Sequence, residues 1–199
     1  MELSHIAEQL LLLLHQISDQ FNLTFQILAL LWGIQLVNSF LGYRLNLLGI
    51  WPRKIYGLPG IIFAPFLHGD FTHLFFNSIP LFILISLLLL FGWHFFLLLS
   101  LFIAAVSGFT TWLLARPGVH VGASGVLMGY WGFLLAQSFI NPSVTSILVA
   151  LVCLYYLGSL FLHLFPSGPK ISWEGHVFGC LAGILAAFFI YSSYSLPFK

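Results

Sequence analysis

Gly122-Ala-Ser-Gly-Val-Leu-Met-Gly129 opens an apolar run that continues without a charge to Ile140. Ser124 stands where a polar loop gives way to that run, and His176 stands at the head of a second one. Gly125 and Gly129 fall on one helical face just below the serine, and Gly179 and Gly183 do the same below the histidine. Small residues four apart let two membrane helices approach backbone to backbone. A serine oxygen and an imidazole nitrogen on separate helices need that approach to come within hydrogen-bond reach. A hydroxyl and an imidazole at the ends of two membrane helices are the minimum parts of a nucleophile and its base.

Composition sets the medium. Of 199 residues, 60% are hydrophobic and 6% charged, and the mean hydropathy is +1.05. Soluble globular chains carry about a quarter charged residues, so an integral membrane protein in a lipid bilayer is expected. A net charge of +1 says nothing about nucleic acid, and with no basic patch and no aromatic RNA-binding signature to pursue, no nucleic-acid partner is expected. Cys153 and Cys180 lie in apolar runs and read as small buried hydrophobes, not as a disulfide or metal pair. No metal or other cofactor is implied, and nothing in these features encodes an oligomeric state.

At the N-terminus, Leu3, Ile6, Leu10, Leu13, Leu14 and Ile17 recur at helical spacing against Glu2, Glu8, Gln9 and Gln16. That pattern predicts an amphipathic helix on the membrane surface over residues 1–21. Early acids and a short leucine run do not fit a cleaved signal peptide. Beyond it, residues 22–199 hold six runs of the length a spanning helix needs, about 20 residues or somewhat fewer where protein shelters them. They cover 22–43, 72–91, 94–114, 124–140, 144–165 and 176–191. Loop punctuation separates them: Gly92-Trp93, Arg116-Pro-Gly118, Asn141-Pro-Ser143 and Pro166-Ser-Gly-Pro169. Only the first loop, 44–71, is long, and its Trp51-Pro-Arg-Lys54 and Gly57-Leu-Pro-Gly60 clusters predict an ordered loop pressed on the bilayer. The expected fold class is an all-α membrane protein, a six-transmembrane-helix bundle with a long first loop.

Polar residues inside such spans cost several kcal/mol unless they are partnered or used. Gln35, Asn38 and Ser39 share a face of the first span and are expected to hydrogen-bond between helices. His73 and Asn77, one turn apart, project from one face near the start of the second, and Pro80 a turn below should bend it. Ser124 opens its helix, where free backbone N–H groups and the dipole favour negative charge. Donors from His73 and Asn77 beside the Ser124 N–H would complete an oxyanion site for acyl transfer.

With these strings in view the chain resembles the rhomboid family of intramembrane serine proteases, in its compact bacterial six-helix form. The resemblance rests on Ala64-Pro-Phe-Leu-His-Gly-Asp-Phe-Thr-His-Leu-Phe-Phe-Asn77, on Gly122-Ala-Ser-Gly125 and on Gly175-His-Val-Phe-Gly-Cys-Leu-Ala-Gly183. It implies Ser124 as nucleophile, His176 as general base and acid, and His73, Asn77 and Gly122 around the oxyanion, in a dyad without a third carboxylate. His68 matches an upstream histidine with a structural or water-ordering role. Met128 stands where many relatives carry an aromatic ring. The implied substrates are transmembrane helices of other proteins, entering between the second and fifth spans beneath a cap formed by residues 166–173.

The resemblance also implies an active site on the exoplasmic side. Arg44, Arg53, Lys54, Arg116 and Lys170 lie in the loops of that side and only Lys199 on the other, so the positive-inside rule points the opposite way. The family pattern is taken to prevail. A membrane metalloprotease would need a His-Glu-x-x-His helix and an aspartyl type two intramembrane acids, and the chain offers neither. Haem ligation by His68, His73, His163 and His176 would leave Gly122-Ala-Ser-Gly125 a coincidence. The rival function is a catalytically inactive relative that binds or escorts membrane proteins, which would have no use for Ser124, His176, His73 and Asn77 together.

Overall fold

Helix α1 (Glu2–Asp19) runs, with only Gln20 between them, into α2 (Phe21–Phe40) in the computed structural model, which describes residues 2–165 and 172–189. After the first loop come α4 (Phe71–Leu89), α5 (Trp93–Leu114), α6 (Ser124–Ile140), α7 (Val144–Leu157) and α8 (Trp173–Phe189); the loop itself holds a single short α-helical turn, α3 (Gly60–Phe63). Polar residues set the boundaries. The Asp70 carboxylate accepts from the His73 amide at 2.7 Å and starts α4, and a reciprocal Ser143–Ser146 capping box starts α7. Gly92, at φ +93°, turns the chain from α4 into α5.

Helix α6 is the centre of the bundle, packed most extensively on α8 and also on α4, α5 and α7. Its face is buried almost throughout, from Val126 to Leu134. Helix α7 leans on α6 and on α1, and it makes at most marginal contact with α4. Helix α1 packs chiefly on α7, more lightly on α2 and α4, and buries Leu13 in the core.

Among the described residues, α2, α4 and α5 are long and apolar enough to cross a bilayer alone. The 17 residues of α6 rise only about 25 Å, shorter than the hydrocarbon layer, as suits a helix surrounded by others. Large apolar side chains face outward all round, among them Phe25, Phe40, Phe76, Leu101, Phe139 and Leu151. Such a surface is tolerable only against lipid. The chain is an all-α integral membrane protein.

The first loop is ordered by direct contact with α5. Arg53 Nη1 donates to Leu113 O and Ala115 O at 3.2 and 2.8 Å, and Trp112 Nε1 donates to Lys54 O at 2.8 Å. Ile50 and His120 exchange backbone hydrogen bonds of 3.0 and 2.9 Å, tying this loop to the one that precedes α6.

Three expectations are corrected. The last helix begins at Trp173, not at residue 176, because the polar Glu174 that hydropathy excludes is a favourable first-turn acid. The fifth span is α-helical only to Leu157 and tightens to a 3₁₀ helix over Gly158–Leu164. The trio on α2 does not bond to another helix: Asn38 Nδ2 donates to Asn46 Oδ1 in the first loop, Ser39 Oγ donates to its own Leu36 O, and the buried Gln35 amide has no partner among the described residues. Residues 166–171 of the expected cap lie outside the described residues, as does the end of the last span.

Candidate active site

Ser124 is the first residue of α6 and His176 the fourth of α8, and their side chains meet with Ser124 Oγ 2.9 Å from His176 Nε2. Below that contact the two helices approach backbone to backbone along a seam of glycines. A Cβ built on Gly179 would overlap Gly125 O, and one on Gly183 would overlap Gly129 O. Gly132 continues the seam one turn further, where a Cβ would sit 2.6 Å from Cys180 O. Sequence reading missed Gly132 because it follows Gly129 by three residues and faces a cysteine instead of a glycine.

The loop ahead of the serine is held by two consecutive amides. Gly122 N donates to Ala64 O at 3.0 Å, and Ala123 N donates to His68 Nε2 at 3.4 Å. Acceptance at Nε2 requires His68 to be neutral with its proton on Nδ1. His68 is fully buried, and desolvation lowers its pKa to about 3; His73 adds to that effect and Asp70 opposes it. A residue that looked structural or water-ordering thus supports the peptide next to the serine.

Gly122 has φ +126°, a conformation that side chains rarely adopt, and the space where its Cβ would stand is already bordered. That point lies 3.1 Å from His73 Nε2 and 3.7 Å from Ser124 Oγ. His73 is half-buried and packs edge-on to His68 with centroids 5.1 Å apart. Asn77, one turn further along α4, is buried, and its Nδ2 has no hydrogen-bond partner among the described residues. A buried amide donor left unpaired costs about 1–3 kcal/mol. Met128 is buried in the core of α6.

A small cavity of about 50 Å³ adjoins Ser124, bordered by Ser107 and Thr111 of α5, His120, Gly122 and Ser172. A water needs about 10–15 Å³ of such volume and two or more polar partners, so the space has room for a few.

Above the dyad is a polar network that sequence reading did not find. The Arg116 guanidinium takes both oxygens of the buried Glu174 carboxylate, with Nη2 3.1 Å from Oε2. His120 Nε2 donates to Arg116 O at 3.0 Å, which fixes its tautomer and leaves Nδ1 to accept from Ser172 Oγ at 2.6 Å. These pairs join residues more than 50 positions apart, and no spacing rule announces them.

A family model described as Rhomboid domain matches residues 55–193. An uncharacterised protein of Mycobacterium tuberculosis is 37% identical over 171 residues, 81% of this chain and 71% of its own length, and one of Mycobacterium bovis matches to the same extent. A third, from Mycobacterium leprae, is 32% identical over 172 residues, 82% of this chain and 68% of its own.

Proposed function

This chain belongs to the rhomboid family, and from that premise we propose that it is a serine endopeptidase that cuts transmembrane segments inside the bilayer. The observation that carries the reading is the 2.9 Å contact between Ser124 Oγ and His176 Nε2. With the imidazole proton on Nδ1, the hydroxyl donates to Nε2. As Oγ attacks the scissile carbonyl carbon, its proton passes to Nε2. The oxyanion that forms is met by the Ser124 N–H, by His73 Nε2 and by the otherwise unpartnered Asn77 Nδ2, each donor worth about 2.7–4 kcal/mol of barrier. Collapse of the tetrahedral intermediate breaks the C–N bond, and the imidazolium returns the proton to the leaving amine. A water from the cavity beside Ser124 then attacks the acyl carbon and gives a proton to Nε2; collapse breaks the C–Oγ bond, the imidazolium returns that proton to Oγ, and the acid departs.

The slight contact between α4 and α7 supports lateral entry of a substrate helix at that seam. We read residues 1–21 as an interfacial segment outside the protease domain of 22–199, and we assign the site to the exoplasmic face of a bacterial plasma membrane, following the family over the loop charges.

The test is cleavage of a reporter with an unstable transmembrane helix in proteoliposomes, together with labelling by a fluorophosphonate. Ser124→Ala and His176→Ala should each abolish cleavage while Tm is retained, and His176→Ala should also lose the label. Cleavage that survives in either variant removes the mechanism. A wild-type protein that binds the reporter but neither cuts it nor takes the label is an escort.

A further inference from the structure

A dyad lacks the third acid that orients the histidine of a triad, and the one carboxylate close to His176 in sequence, Glu174, turns away from it to Arg116. We propose that Arg116 and Glu174 are positioning residues that set the register of His176 against Ser124; this rests on the endopeptidase reading above.

Arg116 follows α5 and begins the loop that ends at Ser124, while Glu174 lies in the first turn of α8. Their two-pronged pair spans these segments, and the Arg116 amide adds a third, longer bond to Oε1 at 3.4 Å. The connection closes into a ring. From Arg116 O it passes through the His120 ring to Ser172 Oγ, and Ser172 O accepts from the His176 amide at 3.4 Å. The loop leading to the nucleophile and the turn carrying its base are therefore cross-linked on the polar side of the dyad. On the apolar side the contacts of Gly125 with Gly179 and of Gly129 with Gly183 do the same. Held at its first turn and again at mid-helix, α8 resists tilting and rotation about the glycine seam.

A guanidinium and a carboxylate in fork geometry fix direction as well as distance, which a lysine does not. Glu174 is buried, with a side chain only 7% exposed. Without Arg116 a charge that deep is unpaired and must reach for water, turning the first helical turn with it. A displacement of about 1 Å in a reacting group costs on the order of 100-fold in rate.

The experiment compares Arg116→Met, Arg116→Lys, Glu174→Gln and the exchange Arg116→Glu with Glu174→Arg, each in the full chain in proteoliposomes. Readouts are kcat and KM on the reporter, the rate of fluorophosphonate capture per folded molecule, and Tm. The single variants should lose about 10- to 100-fold in kcat and in capture rate together, with KM unchanged. Arg116→Lys should retain more than Arg116→Met, and the exchange should recover part of the loss. Wild-type capture rates in Arg116→Met and Glu174→Gln, or losses that track the folded fraction alone, overturn the proposal while leaving the endopeptidase standing. A wild-type chain inert to both probe and reporter overturns the endopeptidase reading beneath it.

Discussion

Gly179→Ala tests whether backbone contact is what holds the dyad together. A Cβ at Gly179 would lie 2.8 Å from Gly125 C and 3.1 Å from its Cα, and would overlap the carbonyl oxygen. Carbon pairs settle at about 3.5–4.0 Å, so α8 must move away from α6 by about 1 Å. Gly125 adjoins Ser124, and Gly179 follows His176 by one turn, so that displacement falls directly on the 2.9 Å separation of Oγ and Nε2. The gap becomes about 4 Å, beyond the 2.6–3.2 Å over which a base takes a proton. Activity should fall about 100-fold, with a stability cost of about 1–3 kcal/mol for overpacking. The assay is kcat on the reporter and fluorophosphonate capture per folded molecule, with Tm recorded alongside. Gly33→Ala is the matched control, since a Cβ there meets nothing within 4 Å, and it should leave both rates unchanged. Wild-type kcat and capture in Gly179→Ala would refute the idea that glycine contact sets the dyad distance.

Asn77→Ala should lower kcat by about 100- to 1,000-fold at constant KM, yet leave Tm unchanged or higher, because it removes a buried donor with no resting partner among the described residues; a lower Tm with intact kcat would assign Asn77 to packing. His68 titrates at about 3 when folded against an ordinary 6.5, so between those values the unfolded chain binds a proton that the folded one refuses. Its contribution is fully present above pH 6.5, and stability is lost as pH falls toward 3, by about 1.4 kcal/mol per pH unit. His68→Gln should flatten that slope in a Tm series across the window, and parallel slopes in both proteins count against the assignment. For orientation, Val119→Cys, at an exposed position of the loop before α6, should react in a chain lacking Cys153 and Cys180 with an impermeant maleimide added outside intact cells; reaction only after lysis reverses the topology.

Much of the bundle is legible in the sequence because the demand of the bilayer is coarse. A run of roughly 20 apolar residues is expected to become a helix, since only a helix lets a single segment satisfy its own backbone in lipid. The same demand makes Ser124, His176, His73 and Asn77 conspicuous, because each is a polar group where polarity is expensive. Features that do not pass through hydrophobic period are invisible. Trp173 and Glu174 belong to α8, but Glu174 looks like loop until its partner Arg116 is in place. Asn38 reads as a helix-to-helix bond, yet the first loop folds Asn46 back onto it. His68 gives no sign in sequence that it supports Ala123 N from 55 positions away. Periodicity records which face is buried, whereas pairings between distant loops depend on the finished fold.

A proposed dyad that uses no third acid suits the medium. A carboxylate placed against His176 at the depth of the glycine seam would carry a full charge out of water at a cost of several kcal/mol, recovered only with a complete set of partners. Steric confinement orients a ring without that cost, provided the two helices cannot slide. The charge the reaction needs is transient: imidazolium and oxyanion appear together and sum to zero. Neutral donors aimed in advance at the oxyanion stabilise it strongly in a dry site without imposing a resting charge. The acid near the site belongs at its polar rim, and that is where Glu174 meets Arg116, whose own side chain is half exposed. On this argument, a carboxylate introduced next to His176 should slow the enzyme or unfold it; it should not complete a triad.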